Sequence, residues 1–279
     1  MYTQDVKRMV EVSVQKVAYL ERSPFGYMIL SALAGVYLGF GITLIFCIGG
    51  PFASEGSAAL KLVMGVSFGI ALTLVIFAGS ELFTGNNMVG VIGGLAGQVT
   101  WRQVGSLFFW SLVGNLIGSL VIAWLVVQSG ALAPASSTLI QKVAGIKMHL
   151  PASELFLRGL LCNWLVCLAV WTASRATGDA AKMLLIFWCL FAFIGSGFEH
   201  SIANQSLLGL ALFLPHEPNI SWTGFAWNQL WVIAGNVIGG GVFVGGLYWL
   251  ASPVTVTPTV PLRIPEASLA PGLGKEPVS

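Results

Sequence analysis

Six long apolar runs separated by short polar stretches dominate this chain of 279 residues. A bilayer core of about 30 Å needs about 20 apolar residues per helix, so each run predicts one membrane-spanning helix. The predicted spans are about 26–49, 62–97, 104–128, 154–174, 183–214 and 225–250. The second and fifth runs are too long for one straight helix and carry glycine-rich polar interruptions, "GSELFTGNN" (79–87) and "GSGFEHSIAN" (195–204). We therefore expect the second and fifth helices to be broken.

The two halves of the chain follow the same order of elements. In each, an intact helix precedes a broken helix, and a third helix carries Gly-Asn-x-Ile-Gly, in "VGNLIGS" (113–119) and "AGNVIGG" (234–240). Because each half has three spans, the second half must lie upside down relative to the first, as in many transporters. Backbone groups freed at a break are costly in lipid, so both breaks should point inward and line one path. Glycines in the Gly-Asn segments have a second interpretation, close packing of helices.

The two ends of the chain differ from the apolar middle. Residues 1–23 predict an amphipathic helix at the membrane surface or against a neighbouring subunit, since apolar residues recur at helical spacing. The apolar stripe consists of Val6, Met9, Val10, Val14 and Val17. Residues 24–252 form the predicted transmembrane domain. Residues 253–279 are rich in proline without an apolar stripe, which predicts a disordered tail.

Composition and charge place the protein in a membrane. Hydrophobic residues make up 56% of the chain and charged residues 9%, whereas about a quarter of residues are charged in soluble domains. The net charge of +2 is too small to indicate a nucleic-acid partner. By the positive-inside rule, the excess of Lys and Arg predicts that both termini are cytoplasmic. The cations on that side are Lys7, Arg8, Lys16, Arg22, Arg102, Arg175, Lys182, Arg263 and Lys275, against Lys61, Lys142 and Lys147 on the other.

The centre of the fifth span holds the candidate chemistry. Glu199 and His200 stand between apolar stretches, and ionisable residues inside a membrane usually mark a substrate or proton path. His200 has the alternative of a structural hydrogen bond between helices. Glu199 lies about 100° from His200 around a helix, so it suits bracing of the break better than substrate contact. Neither metal-ligand spacing nor a nucleotide motif is found, and we predict no metal or cofactor.

Three segments, "AGSELFTGNNM", "LCNWLVCLAVW" and "SGFEHSIAN", resemble the signature segments of the formate/nitrite transporter family, most closely its nitrite-channel branch. The resemblance extends over residues 20 to 252. It implies an aquaporin-like bundle of six helices, assembled as a homopentamer in the cell inner membrane, with one pore in each protomer.

The resemblance also implies roles for individual residues. His200 matches a central pore histidine, and Thr84 matches a loop threonine that hydrogen-bonds to it. Two apolar constrictions, one on either side of the histidine, are implied for Phe68, Leu72, Val166 and Phe193, which by themselves are typical of ordinary helix packing. Leu82 and Phe83 match the rest of the loop that holds Thr84, and they are counted with the constriction residues. Polar positions that line the pore or brace its loops are implied for Asn163, Asn204 and Asn236, with Glu199 beside the histidine. Lys147, otherwise a loop charge, is implied to bring positive charge towards the pore. Arg158 departs from the family pattern, and its role stays open.

These features predict a pH-sensitive channel or carrier for a small monovalent anion, nitrite foremost. Lys147 and the helix N-termini at the breaks attract the anion, and His200 donates a hydrogen bond or a proton to it. Formate and hydrosulfide are alternative substrates of the same class. Two further alternatives are a membrane-embedded enzyme that uses Glu199 and His200 as acid and base, and a lipid-facing scaffold without transport.

Overall fold

The computed structural model describes residues 2–253, and this part of the chain is helical apart from short connections. In chain order the helices are α1 (Thr3–Arg22), α2 (Pro24–Ser54), α3 (Leu60–Gly79), α4 (Phe83–Leu95), α5 (Trp101–Gln128), α6 (Pro134–His149), α7 (Ala152–Arg175), α8 (Asp179–Ser196), α9 (Ser201–Phe213) and α10 (Trp222–Ala251). Helix α3 ends in a π-helical turn, Val75–Gly79, and α10 contains a second one, Gly241–Gly246.

Six of these helices are long and apolar enough to cross a membrane, namely α2, α3, α5, α7, α8 and α10. The prediction of an all-helical protein with six spans is confirmed. The second and fifth spans are each interrupted, and α4 and α9 are their shorter second halves. The predicted proline-rich tail lies outside the described residues, apart from Pro253.

The sequence did not predict helix α6, because residues 134–149 have no long apolar run and were expected to form a loop. Pro134 occupies the first turn, where its missing N–H costs nothing and its fixed φ suits a helix. Lys147 and His149 lie in the last turn, where cations interact favourably with the carboxyl end of a helix. Lys147 is therefore held on a helix and not on a loop.

The repeat is visible in the pairing of the helices. Within the first half the most extensive contact joins α2 and α5, and within the second half it joins α7 and α10. Glycines make both contacts close. A Cβ atom at Gly118 would lie 1.8 Å from the carbonyl oxygen of Ala32, and one at Gly239 would lie 2.1 Å from that of Leu160. Close packing is thus the role of these glycines.

The apolar face of helix α1 packs within its own chain. Val6, Met9 and Val10 are buried in one cluster with Met88 and Val89 of α4, in the same chain. The stripe that the sequence assigned to the membrane surface or a neighbouring subunit is therefore covered by residues of the same chain. These apolar residues of α1 are covered by apolar residues of α4, the second half of the broken second span.

The two half-helices lie at the centre of the bundle. Every residue of α9 from Ser201 to Ala211 is buried, and α4 is buried over most of its length. Both begin at a break, and their first turns approach each other, since Thr84 and His200 are within hydrogen-bond distance. The backbone groups freed at the breaks therefore face protein and not lipid, as the cost of unpaired backbone groups requires.

Candidate permeation site

Both breaks have the same backbone geometry. Gly79 and Gly197 adopt positive φ values of 81° and 75°, in the left-handed region that glycine enters without strain. Each glycine stands two residues before a glutamate, Glu81 or Glu199. After the glutamate comes one extended residue, Leu82 in the first break and His200 in the second, and then a half-helix begins. His200 thus occupies the position that corresponds to Leu82.

An asparagine braces the first break from the neighbouring span. The side-chain amide of Asn115 in α5 donates to the carbonyl oxygens of Ser31 at 2.7 Å and Glu81 at 2.8 Å. Its side-chain oxygen accepts from the N–H of Phe83 at 2.9 Å. That N–H is one of the donors that the start of a helix leaves without an intrahelical partner. Asn115 therefore satisfies the backbone of the break on both sides of Leu82.

Asn236 in α10 braces the second break in the same way. Its amide donates to the carbonyl oxygens of Gly159 at 2.7 Å and Glu199 at 3.0 Å, and its oxygen accepts from the N–H of Ser201 at 2.9 Å. The Gly-Asn segments are thus structural counterparts. The structure places Asn236 behind the break, where its hydrogen-bonding atoms are engaged by the backbone.

The glutamate of the second break is held by a lysine and an asparagine. Lys147 Nζ lies 2.6 Å from Glu199 Oε2, and Asn204 Nδ2 donates to the same oxygen at 2.6 Å. Asn204 also donates to Asn228 Oδ1 at 3.0 Å, and Asn228 donates to the backbone oxygen of Lys147 at 3.1 Å. Glu199 therefore braces the end of α6, and it positions the charge of Lys147 near the break.

The first break carries an equivalent pair that the sequence reasoning missed. Lys16 Nζ of α1 lies 2.6 Å from Glu81 Oε2, and Asn86 Nδ2 lies 3.3 Å from that oxygen. A signal was available in the sequence, because aligning the breaks on Gly79 and Gly197 pairs Glu81 with Glu199 and Asn86 with Asn204. No such signal marks Lys16. Its helix, α1, corresponds to α6 of the second half only by its place in the structure, where each of the two helices pairs a lysine with a glutamate.

The imidazole of His200 points into the centre of the bundle. Its Nδ1 accepts from the N–H of Ala203 at 3.1 Å, which makes His200 the N-cap of α9. A ring nitrogen that accepts a backbone hydrogen bond carries no proton, so the neutral ring has its proton on Nε2. Nε2 lies 3.0 Å from Thr84 Oγ1. The ring therefore presents a donor to the first turn of α4.

A narrow cavity of about 10 Å³, about the size of one water molecule, adjoins His200 and is called the slit below. Five of the six predicted constriction residues line it, namely Phe68, Leu72, Leu82, Val166 and Phe193. Leu38 and Leu190 also line it, and neither was predicted because single leucines in a span carry no distinguishing pattern. The Phe193 ring stacks on the imidazole with centroids 5.9 Å apart, and the Phe68 ring meets Phe193 edge-on at 5.6 Å.

One predicted constriction residue lies elsewhere. The structure places the ring of Phe83 against Phe108 of α5, edge-on at 5.9 Å, and Phe83 does not line the cavity beside His200.

Asn163 donates to the carbonyl oxygens of Thr84 at 3.1 Å and Asn236 at 2.7 Å, and to Asn87 Oδ1 at 3.0 Å. Its amide thus ties the start of α4 to α10, which is a bracing contact.

Arg158, whose role the sequence left open, forms an ion pair with Glu154 one turn earlier, at 2.5 Å. Both side chains are exposed, and pairs of this kind contribute little to stability. The backbone oxygen of Arg158 accepts from the N–H of Glu199 at 3.2 Å. Its contact with the break is therefore made by the main chain and not by the guanidinium.

A wide vestibule lies on the α1 side of the slit. It has a volume of about 830 Å³, and its lining includes Leu72 and Leu82 of the constriction together with Lys16 and Glu81. The structure is therefore that of a multi-pass membrane protein of the transporter and channel class. It has six apolar spans, two breaks that face each other, and a narrow apolar slit between two lysine–glutamate pairs.

The chain belongs to the formate/nitrite transporter family, whose model, described as "Formate/nitrite transporter", matches residues 3–250. It is 42% identical over 271 residues to the protein named nitrite transporter NirC of Salmonella typhimurium, covering 96% of this chain and 99% of that protein. NirC of Escherichia coli K12 is 43% identical over 254 residues, covering 91% of this chain and 93% of that protein.

Solved structures agree with this assignment. One described as an FNT family ion channel superposes with a TM-score of 0.86 at 43% identity, covering 90% of this chain and all of that one. Another, described as a pentameric formate channel with formate bound, superposes with a TM-score of 0.71 at 26% identity, covering 83% of this chain and 98% of that one. The family consists of transporters and channels, so the chain is not an enzyme, and the alternative of acid–base catalysis by Glu199 and His200 is set aside.

Proposed function

We propose that the protein is a homopentameric, pH-sensitive channel or carrier for small monovalent weak-acid anions, with nitrite as the main substrate and one pore in each protomer. The observation that carries this proposal is the His200–Thr84 pair, which lies at 3.0 Å beside an apolar slit. The names of the NirC relatives favour nitrite, and the pentameric formate channel supports the assembly and the size of the substrate.

The slit requires hydrogen-bond donors because a bare anion is very costly in an apolar environment. Leu72, Leu82 and Phe193 remove water from the anion. In their place the Nε2–H of His200 and the hydroxyl of Thr84 donate hydrogen bonds, and the N-termini of α4 and α9 add favourable dipoles. For proton transfer the ring must first take up a second proton from water, which makes it an imidazolium and opens the hydrogen bond between Nδ1 and Ala203. Transfer of one proton from the imidazolium to the anion then restores the neutral ring and lets a neutral weak acid pass.

The lysine–glutamate pairs attract the anion at the two ends of this path. Lys16 lies at the vestibule, and Lys147 lies on the other side of the breaks. Each lysine is held by a glutamate, so an approaching anion meets an ammonium group in a defined position. The greater number of Lys and Arg residues on the α1 side supports a cytoplasmic location for this side in an inner membrane.

Anion flux in proteoliposomes tests the proposal directly. Purified protein should carry nitrite down its gradient, and formate and hydrosulfide should compete with it according to their affinities for the site. The same preparation should have the mass of five subunits by light scattering. Protein that is folded and inserted but carries none of the three anions would exclude this function and would favour a scaffold without transport.

Thr84→Val is expected to lower nitrite flux by about tenfold without preventing assembly. Valine keeps the volume but removes the hydroxyl, which positions the imidazole of His200 and donates one of the two hydrogen bonds to the anion; a hydrogen bond to a charged group is worth about 1.5–3 kcal/mol. The measurement is the initial rate of nitrite entry. Thr73→Val is the matched control, because the Thr73 hydroxyl bonds to the carbonyl oxygen of Gly69 within its own helix. Equal rates for the two variants would show that Thr84 only packs.

A further inference from the structure

The wall of the vestibule on the α1 side carries two cations besides Lys16 of the Lys16–Glu81 pair. Arg8, Val12 and Lys16 follow each other at intervals of four residues, so they form one stripe of α1, and all three line the vestibule. Lys182 lines it from the first turns of α8. Glu81 is the acidic residue in this lining. Three cations therefore meet one carboxylate around this space.

The three cations differ in how far their charge is balanced. Lys16 is paired with Glu81 at 2.6 Å, and Lys182 with Asp179 at 3.0 Å. The guanidinium of Arg8 instead donates to the backbone oxygen of Ser174, a neutral acceptor. Within residues 2–253 no carboxylate lies at ion-pair distance from Arg8. Arg8 is therefore the main source of uncompensated positive charge in the lining.

The two spaces along the path also differ in what they can hold. The vestibule, at about 830 Å³, accommodates an anion together with its hydration shell, whereas the slit, at about 10 Å³, does not. An anion must thus enter the vestibule hydrated and lose its water at Leu72 and Leu82. The number of anions waiting at that step depends on the electrostatic potential of the vestibule.

We propose that Arg8, assisted by Lys182, is an anion-capturing residue that raises the anion concentration in this vestibule and so accelerates flux that starts from the α1 side. This inference rests on the proposed function, and it assigns to α1 the role of supplying charge to the vestibule wall. One unit charge at about 7 Å from a hydrated anion changes its local concentration about threefold in water. Salt screens such an effect, which distinguishes it from a direct contact in the slit.

The test compares Arg8→Gln with Lys7→Gln, which removes the same charge from an exposed position of α1 outside the vestibule lining. Proteoliposomes with α1 facing outward are selected by an N-terminal affinity tag. Nitrite entry is then measured at about 0.01 M and about 1 M ionic strength, where the Debye lengths are about 30 Å and about 3 Å. Potassium gluconate sets the ionic strength.

Arg8→Gln should lower the initial rate about threefold at low ionic strength and leave it unchanged at high ionic strength. Arg8→Lys should restore the rate, and Lys7→Gln should behave as wild type. Lys182→Gln, which leaves the contacts of α1 intact, should also lower the rate at low ionic strength. This variant provides the test if Arg8→Gln does not assemble.

Equal low-salt rates for Arg8→Gln and Lys7→Gln would overturn the proposal. A loss in Arg8→Gln that persists at high salt and is not restored by lysine would also overturn it, because such a loss reports only the anchoring of α1 to Ser174. Wild-type protein without nitrite flux would instead contradict the proposed function itself, so the two failures are distinguishable.

Discussion

His200→Phe is expected to abolish nitrite flux, with a fall of at least about 100-fold in the initial rate. The anion loses a hydrogen bond worth about 1.5–3 kcal/mol at the narrowest point of the path, and a larger apolar ring occupies the space. The structure adds a second effect of this substitution. His200 is also the N-cap of α9 through its Nδ1, and loss of such a cap costs about 1 kcal/mol of stability.

Two further variants separate the cap from the chemistry. Asn is among the best N-cap residues and keeps a donor, although it cannot titrate, so His200→Asn should remain folded and retain partial flux. His200→Ser also keeps the cap, but its hydroxyl is too short to reach the position of Nε2 beside Thr84, so it should be folded without flux. Initial rates in proteoliposomes across pH, with the melting temperature of each variant, provide the measurement.

The pH dependence of His200→Asn decides between hydrogen bonding and proton transfer. If Nε2 passes a proton to the anion, the asparagine variant must lose the part of the pH dependence that belongs to the imidazole. Wild-type pH dependence in His200→Asn would mean that the residue only lines the pore. Full flux in His200→Ser would exclude any role for a donor at this position.

Gly118→Ala should have the largest effect on folding. A Cβ atom there would lie 1.8 Å from the carbonyl oxygen of Ala32, and no side-chain rotation relieves a contact with main chain. The helices α2 and α5 must separate, and overpacking of this kind typically costs about 1–3 kcal/mol or more. We expect a lower melting temperature in detergent and poor recovery of the oligomer by size-exclusion chromatography.

Gly105→Ala in the same helix is the control for this experiment. Nothing lies within 4 Å of a Cβ atom at Gly105, so the substitution should be neutral or stabilise α5 by up to about 1 kcal/mol through helix propensity. Gly239→Ala, whose Cβ would lie 2.1 Å from the carbonyl oxygen of Leu160, should repeat the effect of Gly118→Ala in the second half. A stable Gly118→Ala protein would contradict the observed packing of α2 on α5.

Residues that carried a strong local signal were predicted best. The two breaks were visible because glycines and a glutamate interrupt apolar runs, and His200 stands out as an imidazole inside a span. Glu81 has the same local signal as Glu199, yet it was not predicted as a site residue, because no histidine stands beside it. Leu38 and Leu190 carry no signal, since any apolar residue suits a position in a membrane span.

The partners of the polar residues depended on the tertiary structure. Lys147 looked like a loop charge until α6 placed it 2.6 Å from Glu199, and Lys16 lies in a helix more than 60 residues before its partner Glu81. Phe83 follows Leu82 directly, but the start of α4 turns its ring towards Phe108 and away from the slit. The direction in which a side chain points after a break depends on the residue at which the new helix begins, and the sequence does not specify that residue.

The sequence by itself determined that this is a membrane protein with six spans, two of them broken, because span length and apolarity are properties of consecutive residues. It also determined the inverted order of the halves, because three crossings reverse the direction of the chain. Only the tertiary structure decided that α1 and α6 complete the repeat, each supplying a lysine to a buried glutamate. The reason is physical: a buried charge requires a partner, and the partner is selected by distance in space and not by separation along the chain.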